Sequence, residues 1–154
     1  MFTINKVILH HSLTRDSGTV SWGDIRRYHV TPPPDGMGLV DIGYHAGIEL
    51  IESGGHSLNY EILTGRMWNV QGAHTRGQNK DSLGICFVGN FDIVVPPDDL
   101  LKAGAKVVAL WLHLFDIPVT NIFGHKDFAD KSCPGVLFDI NKFRTLVETV
   151  YDMA

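Results

Sequence analysis

The feature of the sequence that most constrains the fold is the alternation of short apolar segments with two longer amphipathic ones. Residues 98–115 follow a Pro-Pro pair and carry apolar side chains at helical spacing. Residues 139–151 show the same spacing, and a shorter helix is predicted to start at a capping box at Ser21 and to run to His29. Strands are predicted at residues 3–10, 44–51, 58–63, 83–88 and 121–123.

This order of elements, β-α-β-β-β-α-β-α, predicts an α/β (α+β) fold with a single mixed β-sheet flanked by helices. The 154 residues suit one domain over positions 1–154, because neither a linker nor an internal repeat interrupts them. Hydrophobic residues make up 44% of the chain and charged residues 19%, which is typical of a globular protein.

Charge and hydropathy narrow the range of partners. The net charge is −4 and Lys and Arg form no run, so the sequence predicts no nucleic-acid partner. No stretch approaches the roughly 20 apolar residues that span a bilayer, so we predict no membrane insertion. The N-terminal segment lacks the features of a secretory signal, which predicts a cytoplasmic protein, and we expect a monomer.

The two cysteines lie in different sequence contexts. Cys86 lies in an apolar run that reads as a buried strand, where a free thiol usually behaves as a small hydrophobic group. Cys133 is preceded by polar residues and followed by Pro-Gly, so packing does not explain it. A disulfide between them is not expected in a reducing cytosol.

Cys133 belongs to a turn-rich segment, residues 124–135, that also contains His125, and His10 ends the first predicted strand. Two imidazoles and one thiolate are the three ligands of a catalytic zinc whose fourth position stays open. The spacing alone does not identify a metal site, because a single His is more often an ordinary polar group. If the strands before His10 and His125 are neighbours, however, both imidazoles project from one sheet edge.

Two further residues suit such a site. Tyr44, at the start of a predicted strand, would bring a phenol near a metal-bound water, although a half-buried strand tyrosine is the ordinary alternative. Lys131 lies two residues before Cys133 and would offer an ammonium to a developing oxyanion, but most single lysines are simply solvated.

Five motifs together resemble a known family. They are His10-His11-Ser12, Asp41-Ile42-Gly43-Tyr44-His45, Gly72-Ala73-His74, Ser82-Leu83-Gly84-Ile85 and the segment from Gly124-His125 to Cys133-Pro134-Gly135. In this order they resemble the type-2 zinc N-acetylmuramoyl-L-alanine amidases, which include the phage T-seven lysozyme and the animal peptidoglycan recognition proteins. The resemblance implies a mixed sheet flanked by helices with one zinc at the floor of a groove.

The resemblance also implies the role of each site residue. It makes His10, rather than His11, the first zinc ligand, and His125 and Cys133 the other two. It makes Tyr44 and Lys131 catalytic residues. His74 corresponds to a histidine that lines the substrate groove of the family.

The implied substrate is peptidoglycan, and the implied reaction is hydrolysis of the amide between N-acetylmuramic acid and L-alanine, in a phage or prophage endolysin. Three alternatives remain: a module that binds peptidoglycan without cutting it, a cytosolic amidase that recycles muropeptides, and a structural zinc with His11 or His45 as a fourth ligand. The sequence departs from the family pattern at residues 51–63 and at Pro32–Pro34, where a groove wall is expected.

Overall fold

The structure, a computed structural model, describes residues 3–15, 22–54 and 57–152, with only the backbone for 52–54 and 57–58. Its centre is a five-stranded sheet in the order β3-β2-β4-β1-β5. Strand β1 pairs in parallel with β4 and β5, and β2 pairs in parallel with β4 and antiparallel with β3. The predicted mixed sheet is therefore confirmed. The strands are β1 Lys6–His11, β2 Ala46–Gly54, β3 Ser57–Thr64, β4 Ser82–Phe87 and β5 Ile122–Gly124.

Three helices accompany the sheet: α1 Trp22–Val30, α2 Asp98–Phe115 and α3 Ile140–Asp152. The predicted bounds of α2 are confirmed, and α3 lies one residue later than predicted. Helix α1 begins at Trp22, and the predicted cap residue Ser21 lies outside the described residues. Within the described parts of the chain, no helix combines the length and the apolar character that crossing a membrane requires.

The two faces of the sheet have different surroundings, because side chains along each strand alternate between them. Val7 and Leu9 of β1 face the main core, where the buried Phe87, Trp111 and Phe143 pack between the sheet and helices α2 and α3. His10 faces the opposite side. On that side Gly47 allows close packing of α1, because a Cβ at this position would lie 2.3 Å from the Trp22 ring.

Several predicted strand boundaries are wrong. Strand β2 spans Ala46–Gly54 rather than residues 44–51, and β4 spans Ser82–Phe87 rather than residues 83–88. Strand β1 begins at Lys6 rather than Thr3, because its register with β4 starts only at the Lys6–Ser82 pair. Asn121 ends a 3-10 turn, and β5 begins one residue later. Strands β2 and β3 run through most of the region that the sequence marks as a long connection, so only residues 55–56 separate them. A register shift between Leu50 and Glu52 marks a bulge in this hairpin.

Candidate metal centre

His10 lies on an interior strand of the sheet, one residue before the end of β1. Strand β1 lies between β4 and β5, and His10 pairs with Cys86 of β4. The His10 ring is buried, with an exposed fraction of 1%. Its Nδ1 atom lies 3.7 Å from Sγ of Cys133, whereas its Nε2 atom faces the interior next to His74.

His125 and Cys133 lie in one loop, and hydrogen bonds within this loop bring them close to His10. Gly124 ends β5 beside Leu9, and Asp127 Oδ2 accepts a hydrogen bond of 2.8 Å from the Gly124 N–H. The N–H of Lys126 donates to the carbonyl of Cys133 at 2.7 Å, which joins the two ends of the loop. As a result, the ring centroids of His125 and His10 lie 4.7 Å apart.

The three predicted ligands therefore converge. One nitrogen from each of His10 and His125 and the sulfur of Cys133 all lie within 4.8 Å of one another. Two imidazole nitrogens and a thiolate form a donor set that suits zinc and leaves a fourth coordination position free for water or substrate. No other group of this kind occurs among the side chains that the structure describes, those of residues 3–15, 22–51 and 59–152.

The protonation states of the ligands follow from their burial. Burial and neighbouring imidazoles hold the pKa of His10 well below its usual value, and burial and Lys131 lower the pKa of His125. Both rings are therefore neutral near pH 7 and able to bind a metal. Burial raises the pKa of the Cys133 thiol to about 11, so without a metal this group keeps its proton.

Tyr44 lies beside the ligands, two residues before β2 rather than within it. Its ring centroid is 5.1 Å from that of His10. Burial raises the pKa of the phenol well above its usual value, and the nearby Cys86 and Cys133 raise it further. The phenol is therefore protonated at neutral pH and has a proton available for a hydrogen bond.

A cavity of about 730 Å³ opens over the three convergent donors. The exposed Lys131 lines it together with Tyr44, His10, His125 and Cys133. The other wall comes from α1 and the segment after it, through Ile25, Tyr28, His29 and Met37. The Pro32–Pro34 region thus lies between two parts of this wall, whereas the described side chains of the β2–β3 hairpin are not among its lining residues.

Sequence comparison assigns the chain to a protein family. A family model described as N-acetylmuramoyl-L-alanine amidase matches residues 2–136, which contain all five motifs. The chain belongs to this family. The resemblance inferred from the motifs is therefore confirmed.

Several members of the amidase family are similar along most of this chain. Peptidoglycan-recognition protein LB of Drosophila melanogaster is 32% identical over 136 residues, which cover 84% of this chain and 53% of that protein. The chain thus spans about half the length of that relative. The endolysin of Klebsiella phage KP32 is 28% identical over 143 residues, covering 90% of this chain and 84% of the endolysin.

Solved structures agree with the amidase fold. The N-acetylmuramoyl-L-alanine amidase LysC from Clostridium intestinale superposes with a TM-score of 0.77 at 22% identity, covering 96% of this chain and 87% of LysC. Wild-type Drosophila PGRP-LB superposes with a TM-score of 0.71 at 29% identity, covering 90% of this chain and 79% of that one.

The geometry argues against His11 or His45 as a fourth metal ligand. Both ring nitrogens of His45 have partners, since Nδ1 accepts from the N–H of Gly84 at 3.0 Å and Nε2 lies 3.0 Å from the carbonyl of Val70. Nδ1 of His11 accepts from the N–H of Phe91 at 3.2 Å. Neither ring belongs to the group of convergent donors. A closed structural zinc site therefore has no support in the described residues.

Sequence reasoning missed the residues that hold Tyr44. The guanidinium of Arg66 donates to the carbonyls of Ile42 at 2.6 Å and Asp41 at 3.1 Å, and the Arg66 N–H donates to the carbonyl of Tyr44. His29 accepts from the N–H of Gly43 through Nδ1 at 2.9 Å. These contacts run through backbone atoms, which leave no pattern of side-chain types in the sequence.

Asp92 was also missed, and it anchors the loop of Cys133. Its carboxylate accepts from the hydroxyl of Ser132 at 2.7 Å and from the N–H of Val136 at 2.9 Å. Gly135 has a φ of +121° and packs so closely on Phe91 that a Cβ would lie 2.5 Å from backbone atoms of that residue. The glycine after Cys133-Pro134 thus allows a close contact between two backbone segments. From the sequence, a Pro-Gly pair predicts a turn but not this contact.

Proposed function

We propose that this protein hydrolyses the amide bond between N-acetylmuramic acid and L-alanine in peptidoglycan, and that it uses one zinc ion held by His10, His125 and Cys133. The observation that carries the proposal is the convergence of these three donors beside Tyr44 at the floor of one cavity. Membership in the amidase family supports the reaction type.

Each residue of the site has a task in this reaction. When bound, zinc would supply a Lewis acid that polarises the amide carbonyl and lowers the pKa of a water molecule toward about 7. The two neutral imidazoles and the sulfur would hold the ion. The cavity above them has room for the scissile amide and its flanking groups.

Tyr44 and Lys131 provide hydrogen-bond donors on the open side of the ligands. Because the raised pKa of Tyr44 keeps its phenol protonated, this group can stabilise the oxyanion that develops on the carbonyl oxygen. Lys131 lines the same cavity and brings a positive charge close to that oxygen or to the leaving amine. Neither residue is needed to bind the metal.

We further propose that the protein acts as a phage or prophage endolysin, which would accumulate in the host cytosol and reach the wall after membrane permeabilisation. Two phage proteins named endolysins support this role. Each is 28% identical to this chain, and the alignments cover 84% and 85% of the two endolysins. The main competing function is recognition of peptidoglycan without cleavage, because other relatives are named peptidoglycan-recognition proteins.

A digestion experiment tests both proposals. The zinc-loaded protein is incubated in parallel with intact sacculi and with soluble anhydromuropeptides, and free L-alanine amino termini and reducing sugar ends are measured. We expect new amino termini without new reducing ends, and faster release from sacculi. New reducing ends would indicate glycan cleavage. Sacculi that bind the protein but remain uncut would support recognition alone, and strong preference for the soluble fragments would support recycling.

Two substitutions separate catalysis from metal binding. We expect Tyr44→Phe and Lys131→Ala each to retain zinc and to lower turnover by about a hundred- to a thousandfold, because each removes a donor to the transition state. Turnover and zinc content are measured on the same preparations. Lys126→Ala is the matched control, since Lys126 is exposed in the same loop but does not line the cavity. Wild-type turnover in Lys131→Ala would show that this residue is only a solvated cation.

A further inference from the structure

A chain of hydrogen bonds lies behind His10, on the side away from the metal. Nε2 of His10 is 3.0 Å from Nδ1 of His74, and Nε2 of His74 is 3.4 Å from the hydroxyl of Ser82. The Ser82 hydroxyl is in turn 2.7 Å from the carbonyl of Gln78. Family resemblance associates His74 with the substrate groove, and the buried His74 ring does line the cavity, but it also contacts His10 directly.

The carbonyl at the end of the chain determines the direction of every hydrogen bond. The Gln78 carbonyl can only accept, so Ser82 uses its single proton to donate to it. The Ser82 oxygen then accepts from His74, which places the His74 proton on Nε2 and leaves Nδ1 as an acceptor. His10 must therefore carry its proton on Nε2, and its Nδ1 lone pair faces Cys133.

Two glycines hold the His74 ring in place. A Cβ at Gly84 of β4 would lie 2.6 Å from atoms of this ring, and a Cβ at Gly72 would lie 2.5 Å from it. The backbone N–H of His74 donates to Oδ1 of Asn79 at 2.9 Å. The ring thus occupies a slot that any larger residue at Gly72 or Gly84 would close.

We propose that His74 is a positioning residue that fixes the Nε2-protonated tautomer of His10 and thereby aims the Nδ1 atom of His10 at the metal. This inference rests on the zinc site of the proposed function. Histidine ligands commonly donate their second N–H to a partner that fixes the tautomer, and loss of such a partner costs about 10- to 100-fold in metal affinity. Here the partner is a neutral imidazole rather than a carboxylate or a carbonyl.

Thr75 offers the alternative partner for His10. Its hydroxyl oxygen lies 3.3 Å from Nε2 of His10 and 3.1 Å from Nδ1 of His74. The shorter distance to His74 and the direction set by Gln78 favour the imidazole as the main acceptor. Removal of the threonine hydroxyl should therefore weaken zinc binding less than removal of the His74 acceptor.

Two variants of His74 test the ring and the acceptor separately. His74→Phe keeps a ring in the glycine slot but has no acceptor, whereas His74→Asn lacks the ring but can place an amide oxygen close to the position of Nδ1. Zinc dissociation constants are measured by competition with a chelator. We expect His74→Phe to bind zinc about 10- to 100-fold more weakly than wild type, with most of the affinity restored in His74→Asn.

The outcomes distinguish this inference from the proposed function. Wild-type affinity in His74→Phe, equal weakening in both variants, or a larger loss in Thr75→Val would overturn the role of His74 and leave the zinc site intact. A wild-type protein that binds no zinc would instead overturn the metal site itself. Nitrogen NMR of the metal-free wild type requires no variant to fold. It should show His10 protonated at Nε2, and protonation at Nδ1 would contradict the inference.

Discussion

Replacing Cys133 by serine is expected to remove zinc from the protein and to abolish amide hydrolysis. Serine has nearly the same shape, but its hydroxyl remains protonated and is not among the usual protein ligands of zinc, so only His10 and His125 would hold the ion. The loss of zinc affinity should exceed the roughly 10- to 100-fold cost of removing a residue that merely supports a ligand. Metal analysis after dialysis, together with the release of L-alanine amino termini, measures both effects.

The second cysteine provides the matched control. Cys86 is fully buried in β4 and lies outside the group of convergent donors, so Cys86→Ala should retain about one zinc per chain. Cys133→Asp should recover part of the metal, because a carboxylate is also a zinc ligand. If Cys133→Ser keeps zinc with wild-type affinity, Cys133 is not a ligand.

The metal-free protein is expected to lose stability as the pH falls below about 6.5. Six of the histidines in the described part of the chain have pKa values below their usual value, with burial the largest cause for each: His10, His11, His29, His45, His74 and His125. In the unfolded chain these rings bind protons near pH 6.5, whereas the folded protein resists protonation. The unfolded state then binds more protons, so the free energy of unfolding decreases as the pH falls.

His74 contributes the clearest part of this effect. Burial, followed by the neighbouring His45 and His125, lowers its pKa from 6.5 to about 3. A shift of this size corresponds to a loss on the order of 5 kcal/mol once the pH has fallen through the folded pKa. Most of the range between pH 6.5 and 5 lies above the pH at which ordinary carboxylates titrate. A decrease in the free energy of unfolding within this range therefore comes mainly from the histidines.

Urea unfolding in the presence of a chelator, repeated from pH 7.5 to pH 4, measures this dependence. His74→Asn should flatten the acid limb because it removes a group that titrates only on unfolding. His113→Gln is the control, since it also removes a histidine but at an exposed position near the end of α2. A free energy of unfolding that stays constant between pH 7.5 and 5 would contradict the predicted role of the buried histidines.

Much of the secondary structure follows from sequence alone because it depends on local periodicity. The apolar spacing of residues 98–115 predicts α2 with its observed bounds. The largest boundary errors occur in strands, because the pairing of a strand with its neighbours decides where it begins and ends. Residues 3–5 are excluded from β1 because its pairing with β4 begins at Lys6, and the β2–β3 hairpin is longer than its Gly-rich centre suggests. A strand can pair with a segment far away in the sequence, and a local sequence pattern carries no information about that pairing.

For the site, the sequence by itself predicted the three candidate metal ligands. His10, His125 and Cys133 stand out because they lie in the ordered motifs of the family resemblance and together form a donor set that suits zinc. The tertiary structure decided why His10 rather than His11 belongs to the group of convergent donors, since adjacent residues of β1 point to opposite faces of the sheet. The tautomer that we propose for His10 likewise depends on tertiary structure, because the hydrogen-bond chain behind it ends at the backbone carbonyl of Gln78, 68 positions further along the sequence.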